Sequence, residues 1–337
     1  MSDAWNEMLD EFRALGGTAD NICLKQGPLG RGLFPVDQTK PVHIHIPENL
    51  LIDSADVFVE DGRFRVSPNS PAGARERAFL ENYENAFSWG SGGHADVERF
   101  LESMQALPET LRGLLADKFG LGVQFEDATP AFVLSRFLAA RIFGYHGRSV
   151  VMPIIELANH GDGSSYGDAG GISLSGQFPG EVLVRYSSSD PLQIFMTWGF
   201  ATDSPLALSI GGSLNTKAGK VVVIERKFEG QVRVTKGQPL WIPEVAIDGD
   251  QATLQYLMIG NRQFPRLSKG IFYRLMRDAG FVNVEETFDV IQHMNRMHFL
   301  ELIGALEGHE GPMIRTLRDM ARFQLQAMSH CYGVREV

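Results

Sequence analysis

Apolar and polar residues follow different periods in successive parts of the chain, and each period predicts a different kind of element. Residues 1–17 carry apolar side chains at three- and four-residue intervals, which is the pattern of an amphipathic helix. Residues 22–24 are a short apolar run, and residues 42–47 alternate apolar and polar side chains as a half-buried strand does. The pattern therefore predicts one helix followed by short strands and turns.

From about residue 67 to residue 144 the period of the apolar residues becomes helical. Apolar side chains recur at helical spacing over 78–87 and 97–104. Pro130 opens a further helix, which is predicted to reach Phe143, because proline is well tolerated in the first helical turn. The sequence thus predicts a block of helices inserted between strands.

Strands are predicted to return after the helical block. The predicted strands are 172–174, 181–186 and 221–225, with hairpins that reach about residue 247. Residues 161–171 are rich in Gly, Ser and Asp and are predicted to form a loop. From about residue 252 the pattern is mainly helical, with predicted helices at 272–278, 287–306 and 313–330. This mixture predicts the α+β class.

Composition and charge narrow the possible functions. With 337 residues, of which 44% are hydrophobic and 21% charged, the chain has the composition of a folded protein. Its net charge of -10 argues against a general nucleic-acid-binding role. The two cysteines, Cys23 and Cys331, are too few for a disulfide framework or a cysteine zinc cluster. The sequence has no apolar run near the ~20 residues of a membrane span and no signal-peptide pattern, so we expect a cytoplasmic location.

Four histidines form two pairs that raise the question of a metal site. His43 and His45 lie on one face of a predicted strand, and His293 and His298 lie on one predicted helix. Neither pair has a third ligand at a suitable spacing. We therefore expect structural roles for these histidines and no metal site.

The candidate chemistry lies in four short motifs. Residues 30–34 read Gly-Arg-Gly-Leu-Phe, and Asn-His at 159–160 follows a long apolar run. Residues 180–186 read Gly-Glu-Val-Leu-Val-Arg-Tyr, and residues 198–200 read Trp-Gly-Phe. In their order and approximate spacing, these motifs resemble those of the SET-domain protein methyltransferases, and most of all the branch typified by the Rubisco large-subunit lysine methyltransferases.

This resemblance implies a fold and an activity. The fold would be a SET-domain set of small β-sheets around a threaded pseudoknot, with the helical insertion at about 67–144. Residues 1–215 would form the SET domain, and residues 216–337 would form a substrate-binding lobe, mainly helical after about residue 250. The activity would be transfer of a methyl group from S-adenosyl-L-methionine to a lysine side chain of a protein substrate, with no nucleic-acid or membrane partner.

The resemblance also assigns contacts to the cofactor. Gly30, Arg31 and Gly32 would form the cofactor loop, in which glycines let the backbone approach a ligand closely. An arginine in the preceding helical block would pair with the cofactor carboxylate. Arg136 is favoured for this role by the Ser-Arg pair that it belongs to, and Arg141 is the nearby alternative.

Three further cofactor contacts come from the Asn-His motif and its flank. The Asn159 amide would contact the methionyl part of the cofactor, and the backbone of His160 would contact the adenine. Glu156 is carried over as well, although the family usually has Asp at that position. The alternative for Asn159 is a capping role at a turn after a buried strand.

Tyr186 is the predicted catalytic residue, because the family's active-site tyrosine also ends a β-branched run. Its hydroxyl would orient the incoming amine and contact the methyl group through weak CH···O interactions. Trp198 and Phe200 are predicted to bind the substrate, but many relatives have tyrosine where Trp198 stands. Asp190-Pro191 likewise replaces a more usual helix start that contains asparagine.

These departures leave two alternatives open. The chain could be a non-catalytic protein-binding module that keeps the SET scaffold, or a methyltransferase directed at histidine. The identity of the protein substrate, the number of methyl groups transferred and the oligomeric state do not follow from the sequence.

Overall fold

The computed structural model describes residues 3–125, 127–164, 166–187, 189–226 and 242–329, and their helices and small sheets confirm the predicted α+β class. The helices are α1 (Asp3–Ala14), α2 (Ala74–Phe87), α3 (Gly93–Gln105), α4 (Glu109–Phe119), α5 (Pro130–Ala139), α6 (Pro191–Trp198), α7 (Leu267–Asp278), α8 (Val284–Ala305) and α9 (Pro312–Ser329). The strands are β1 (Thr18–Asp20), β2 (Ile22–Gly27), β3 (Gly30–Pro35), β4 (Val42–Pro47), β5 (Val57–Glu60), β6 (Arg63–Val66), β7 (Ile142–Tyr145), β8 (Arg148–Val151), β9 (Asn159–Ser164), β10 (Gly171–Gly176), β11 (Leu183–Val184), β12 (Leu206–Leu208), β13 (Gly212–Asn215), β14 (Val221–Ile224), β15 (Val245–Asp248), β16 (Gln251–Leu254) and β17 (Met258–Asn261). Cys331 and residues 227–241 of the predicted hairpin region lie outside the described residues.

By its internal contacts the chain divides into two compact units. The first comprises Met1–Arg99 and Asp127–Tyr186, and the second comprises Phe100–Glu126 and Ser187–Val337. The boundary near residue 215 that the resemblance implies stays a prediction. Helix α4 packs its apolar face into the same core as α8 and α9. That core places part of the predicted helical insertion in the second unit.

Hydrophobic periodicity explains the main elements of the first unit. Helix α1 buries one apolar face, made of Trp5, Met8, Leu9 and Phe12. Strand β4 is the centre of a three-stranded antiparallel sheet with β1 and β10, and it buries alternate residues as predicted. Three antiparallel hairpins, β2–β3, β5–β6 and β7–β8, complete this unit together with the parallel pair β9–β11.

The second unit combines a four-stranded sheet with helices. The strand order of this sheet is β13-β14-β16-β15, and β14 and β16 run parallel. Apolar residues of β14 and β16 form one core with residues of α7 and α8. Among the described residues, no helix combines the length and the apolar character that crossing a membrane would need.

The predicted helix 130–143 is too long at its C-terminal end. Thr129 caps α5 at its start through a hydrogen bond from the Phe132 backbone N–H, and the helix ends at Ala139. The next residues form β7, which pairs with β8 across a two-residue turn. His146 and Gly147 both have positive φ in that turn, the geometry that suits the twist of a hairpin. Turn geometry therefore overrides the helical period here.

Two other expectations also need correction. Residues 161–164 of the predicted loop belong to β9, which pairs in parallel with β11, and the predicted strand 181–186 is regular only over Leu183–Val184. The region predicted to be mainly helical from residue 252 begins with strands β16 and β17. These strands are short, so the local period of their apolar residues is weak.

A buried ion pair fixes the start of α6 in the second unit. Asp190 is fully buried, accepts a hydrogen bond from the Gln193 backbone N–H at the helix N-cap, and pairs with Arg226 at 2.7 Å. The Gln324 side-chain amide and the Leu208 backbone N–H also donate to its Oδ2 atom. One carboxylate thus connects α6, β12 and α9. The sequence motif at 190–191 is therefore explained by structural contacts.

Replacing Asp190 by Ala should lower the free energy of unfolding by about 3–5 kcal/mol, because Arg226 would keep a buried charge without its partner. The control Asp203→Ala removes the half-exposed partner of Arg262 and should cost less than about 1 kcal/mol. Urea unfolding of the three proteins measures both changes. Equal losses for the two variants would contradict the prediction.

Candidate functional site

A polar cavity of about 510 Å³ lies in the first unit, and its volume is within the range of about 300–1,000 Å³ that is usual for small-molecule sites. Its walls come from segments that are far apart in the sequence. Five of its lining residues belong to the predicted site: Gly30, Arg31, Glu156, Asn159 and Tyr186. Ser88, Asp96 and Arg141 line it too. The cavity thus presents groups that can bind both anions and cations.

The β2–β3 hairpin forms one wall of the cavity. The two strands pair as far as Gly27 and Gly30, which leaves Pro28 and Leu29 as a two-residue turn. Gly30 has a φ of +102°, a conformation that residues with a side chain rarely adopt. Leu29, which is exposed, lines the cavity beside it. The turn therefore requires the first glycine of the motif at 30–34.

A tight turn sets the direction of the chain after β8. The Ile155 backbone N–H donates to the Pro153 carbonyl at 2.8 Å, and Ile154 between them has a φ of +70°. A γ-turn of this hand is strained, and a β-branched residue adopts it only where the surrounding packing enforces it. The 3₁₀ turn Ile155–Leu157 follows at once and brings Glu156 to the cavity wall.

Asn159 is held between two other segments of the chain. Its side-chain amide donates to the Arg31 carbonyl at 3.3 Å and to Glu181 Oε1 at 2.5 Å. Both bonds use the amide nitrogen, so the amide oxygen stays available as an acceptor. Gly32 permits this approach, because a Cβ there would overlap the Glu181 carboxylate and lie 2.7 Å from Asn159 Nδ2.

Tyr186 lines the cavity just after β11. Its hydroxyl donates to the Ala158 carbonyl at 2.9 Å, and its ring lies 5.2 Å from the His160 ring, centroid to centroid. Burial raises the pKa of Tyr186 to about 12, while the positive charge of Arg141 opposes the rise. The hydroxyl therefore stays protonated at neutral pH, where it can donate and accept hydrogen bonds but cannot act as a base.

His160 contacts Tyr186 and is not one of the residues that line the cavity. Its Nδ1 atom accepts a hydrogen bond from the Tyr186 backbone N–H at 3.3 Å. Burial lowers the pKa of His160, Arg185 lowers it further, and Asp162 opposes both. The ring is therefore neutral near pH 7 with its proton on Nε2, and it helps to position Tyr186.

The Glu156 carboxylate is buried beneath the cavity wall. The Tyr83 hydroxyl donates to its Oε1 atom at 3.0 Å, and Arg141 Nε lies 3.5 Å from its Oε2 atom. Burial raises the pKa of Glu156, whereas the ion pair with Arg141 and the hydrogen bond from Tyr83 lower it. The Arg141 guanidinium also lies over the Phe137 ring at 4.1 Å. These contacts hold Arg141 in place at the cavity.

Arg141, the alternative considered from the sequence, is the arginine that lines the cavity. Arg136 lies half-buried on α5, where burial lowers its pKa, and it is not one of the lining residues. Because α5 ends at Ala139, the chain turns before Arg141 and brings it to Glu156. The cofactor contacts predicted for Arg136 and Gly32 stay predictions. Gly32, like Arg136, is not one of the residues that line the cavity.

Trp198 and Phe200 belong to the second unit. Trp198 ends α6, and Gly199 closes the helix in the left-handed conformation with a φ of +78°. Both aromatic residues are half-buried within that unit. Their predicted role in substrate binding stays a prediction.

Several residues of the site were not predicted from the sequence. Glu181 lies in the motif at 180–186, and its position before a strand was the available signal. Tyr83 and Glu84 are buried on α2, and Ser88 follows that helix. Glutamate is seldom buried, but Glu84 stands four residues after Leu80 and three before Phe87, so helical spacing was the available signal for its burial.

Among the residues that the structure describes, no three His, Cys, Asp or Glu side chains are placed to hold a metal ion. Compared with known proteins, the chain matches no family model, and no curated protein matches it either. The site is therefore interpreted from its own residues and from the resemblance of its motifs.

The raised pKa of Tyr186 can be tested by ultraviolet titration of the wild type and Tyr186→Phe. Since the pKa is about 12, the two proteins should gain the same tyrosinate absorbance up to about pH 11. A tyrosine with the ordinary pKa near 10 would give the wild type one additional chromophore in that range. Such a difference near pH 10, in protein whose circular dichroism is unchanged, would contradict the burial of the hydroxyl.

Proposed function

We propose that the chain is a SET-type methyltransferase that uses S-adenosyl-L-methionine to methylate a lysine side chain of a protein substrate. The proposal rests on one observation: Gly30, Arg31, Asn159 and Tyr186, which were predicted from separate motifs, line the same cavity with Glu156. Their convergence is what a shared ligand would require.

The SET-type fold is part of this proposal. In support of it, the segment that carries Tyr186 runs between two earlier parts of the chain. The Val182 backbone N–H donates to the Leu33 carbonyl at 2.8 Å, and Leu183 pairs with Asn159 in parallel strands. A crossing of this kind, with Tyr186 bound to the Ala158 carbonyl, is compatible with the threaded arrangement that the resemblance implies.

The cavity residues fit the proposed cofactor. Arg31 and Arg141 offer guanidinium groups for a carboxylate, and Asp96 offers a carboxylate for an ammonium group. The Asn159 amide oxygen can accept a hydrogen bond, and the buried Ser88 hydroxyl has no hydrogen-bond partner among the described residues. When bound, the cofactor would supply an activated methyl group on a positively charged sulfur.

The protein's part in such a reaction is to position the amine. Tyr186 keeps lone pairs on its hydroxyl oxygen while it donates to Ala158, so the oxygen can accept a hydrogen bond from the amine. Because its pKa is raised to about 12, Tyr186 cannot take the proton of a lysine ammonium group. The amine must therefore arrive neutral, which desolvation favours for a group of pKa near 10.4.

Two other functions remain to be distinguished. Trp198, in place of a usual tyrosine, would change the shape of a substrate pocket, so a histidine-directed methyltransferase is one alternative. The other is a protein-binding module that keeps the scaffold without catalysis. Identifying the methylated residue as lysine or histidine distinguishes the proposal from the first alternative. Detecting any methyl transfer distinguishes the proposal from the non-catalytic module.

The proposal predicts that S-adenosylmethionine and S-adenosylhomocysteine bind the purified protein in the micromolar range, as measured by titration calorimetry. Asn159→Ala should weaken binding at least about tenfold, because one hydrogen bond and its anchor are lost. A labelled-methyl transfer to proteins of a cell lysate, followed by acid hydrolysis, should yield methyllysine. Failure of the wild-type protein to bind either compound would reject the proposal.

Tyr186→Phe should bind the cofactor as the wild type does but lower the rate of methyl transfer about a hundredfold, because the amine loses its positioning group. Initial rates with the same lysate fraction measure the effect. Tyr145→Phe is a control that removes the hydroxyl of another buried tyrosine of the first unit, one that donates to Glu48. Equal rates for wild type and Tyr186→Phe would exclude Tyr186 as the catalytic residue.

Gly32→Ala should weaken cofactor binding about tenfold while changing the free energy of unfolding by less than about 1 kcal/mol. The three atoms nearest to the new Cβ belong to the ends of the Glu181 and Asn159 side chains, which can swing away, but Asn159 then loses its anchor. Gly180→Ala is the matched control, since a Cβ there meets no atom within 4 Å. Unchanged binding in Gly32→Ala would show that the anchor is dispensable.

A further inference from the structure

Two carboxyl groups are buried next to the cavity, and only one of them takes part in an ion pair. Glu156 pairs with Arg141 and accepts from Tyr83, as described above. Glu84 on α2 is fully buried, and neither of its carboxyl oxygens has a hydrogen bond among the described residues. A carboxylate left without partners in a protein interior is costly. This cluster therefore needs a further positive charge or a proton.

The charged and titratable groups around Glu84 come from several elements. Tyr83 belongs to the same helix, Glu156 to the 3₁₀ turn after β8, and Arg141 to the segment after α5. Arg141 acts on both carboxyls, whereas Arg31 of β3 acts on Glu156 and not on Glu84. If both carboxyls were ionised, Glu84 would have to share Arg141 with Glu156, and its negative charge would lack a partner of its own.

A proton compensates this charge while the cavity holds no cation. Burial raises the pKa of Glu84 well above its usual range, and the negative charge of Glu156 raises it further, while Arg141 opposes the rise. Burial also raises the pKa of Glu156, but its ion pair with Arg141 and the hydrogen bond from Tyr83 favour its ionised form. Glu84 is therefore the carboxyl that carries the proton near neutral pH.

We propose that the Glu84–Glu156 pair acts as a proton-linked counter-charge for the sulfonium group of S-adenosylmethionine, so that the pair distinguishes the cofactor from its uncharged-sulfur product. Glu84 is a positioning residue, since it acts through Glu156 and does not line the cavity. This inference rests on the function proposed above. A ligand with one more positive charge should displace the Glu84 proton into solvent, and a ligand without that charge should leave it in place.

The consequence is a pH-dependent preference for the charged cofactor. At pH values below the pKa of Glu84 in the free protein, linkage predicts how the ratio of the two affinities changes with pH. For each unit by which the pH rises, the affinity for S-adenosylmethionine should increase up to about tenfold relative to the affinity for S-adenosylhomocysteine. Loss of the positive charge from sulfur during methyl transfer would return a proton to Glu84 and weaken the binding of the product. The pair would thus favour product release.

Titration calorimetry of the wild-type protein in buffers of different ionisation enthalpy tests this inference. Between pH 6 and pH 8, the binding of S-adenosylmethionine should release up to about one proton more than the binding of S-adenosylhomocysteine. In Glu84→Gln, which imitates the protonated carboxyl, the two ligands should release equal numbers of protons and their affinity ratio should not change with pH. Glu76→Gln, on the same helix α2, should behave as the wild type.

Three outcomes are decisive. Binding of both ligands by the wild type with equal proton release overturns the inference but leaves the proposed function intact. An excess release that persists in Glu84→Gln shows that another group titrates and also overturns it. Absence of binding by the wild type rejects the proposed function and this inference together. If Glu84→Gln does not fold, the wild-type measurement still overturns the inference when both ligands release equal numbers of protons.

Discussion

The candidate site depends on the close approach of three chain segments at Gly32. Strand β3, the start of β9 and the segment before β11 meet there, and a side chain at this position would occupy the place of the Glu181 carboxylate. The Glu181 carboxylate in turn anchors the Asn159 amide, which bonds to the Arg31 carbonyl as well. One missing side chain thus allows residues from three motifs to face one cavity. The glycine has a structural reason whatever ligand the cavity binds.

Removal of groups from water determines the electrostatic character of the site. Burial keeps the Tyr186 hydroxyl and the His160 imidazole in their neutral forms, since it raises the pKa of the first and lowers the pKa of the second. Burial also favours the neutral forms of the Glu84 and Glu156 carboxyls, since it raises the pKa of both. The positive charge of Arg141 compensates Glu156. The neutral hydrogen-bonding groups of Tyr186 and His160 are suited to a reaction that depends on orientation rather than on proton transfer.

The sequence predicted those features that depend on local periodicity or on short motifs. The amphipathic pattern of α1 and the alternation of β4 were sufficient, because one buried face imposes the period. The order of motifs also predicted that Asn159 and Tyr186 act together, and both line the cavity. The pairing of Asn159 with Glu181 could not be predicted, because it depends on how distant segments cross.

Other features depend on where an element ends or on contacts between distant residues. A helix that stops at Ala139 brings Arg141 rather than Arg136 to the cavity, and the hairpin turn after β7 contributes to that end. Strand β9 is rich in Gly, Ser and Asp and forms only through its pairing with β11. Glu84 has a side chain that is usually exposed, yet its spacing from Leu80 and Phe87 places it on the buried face of α2.

The crystal structure of the protein with S-adenosylhomocysteine would test the assignment of the cavity most directly. The proposed function predicts density for the whole ligand in the cavity of the first unit, with the Asn159 amide and an arginine, Arg31 or Arg141, in hydrogen-bond contact with its methionyl part. It also predicts that the ligand sulfur lies within reach of the Tyr186 hydroxyl. Density at another place on the protein, or an empty cavity at saturating ligand, would contradict the assignment of this site.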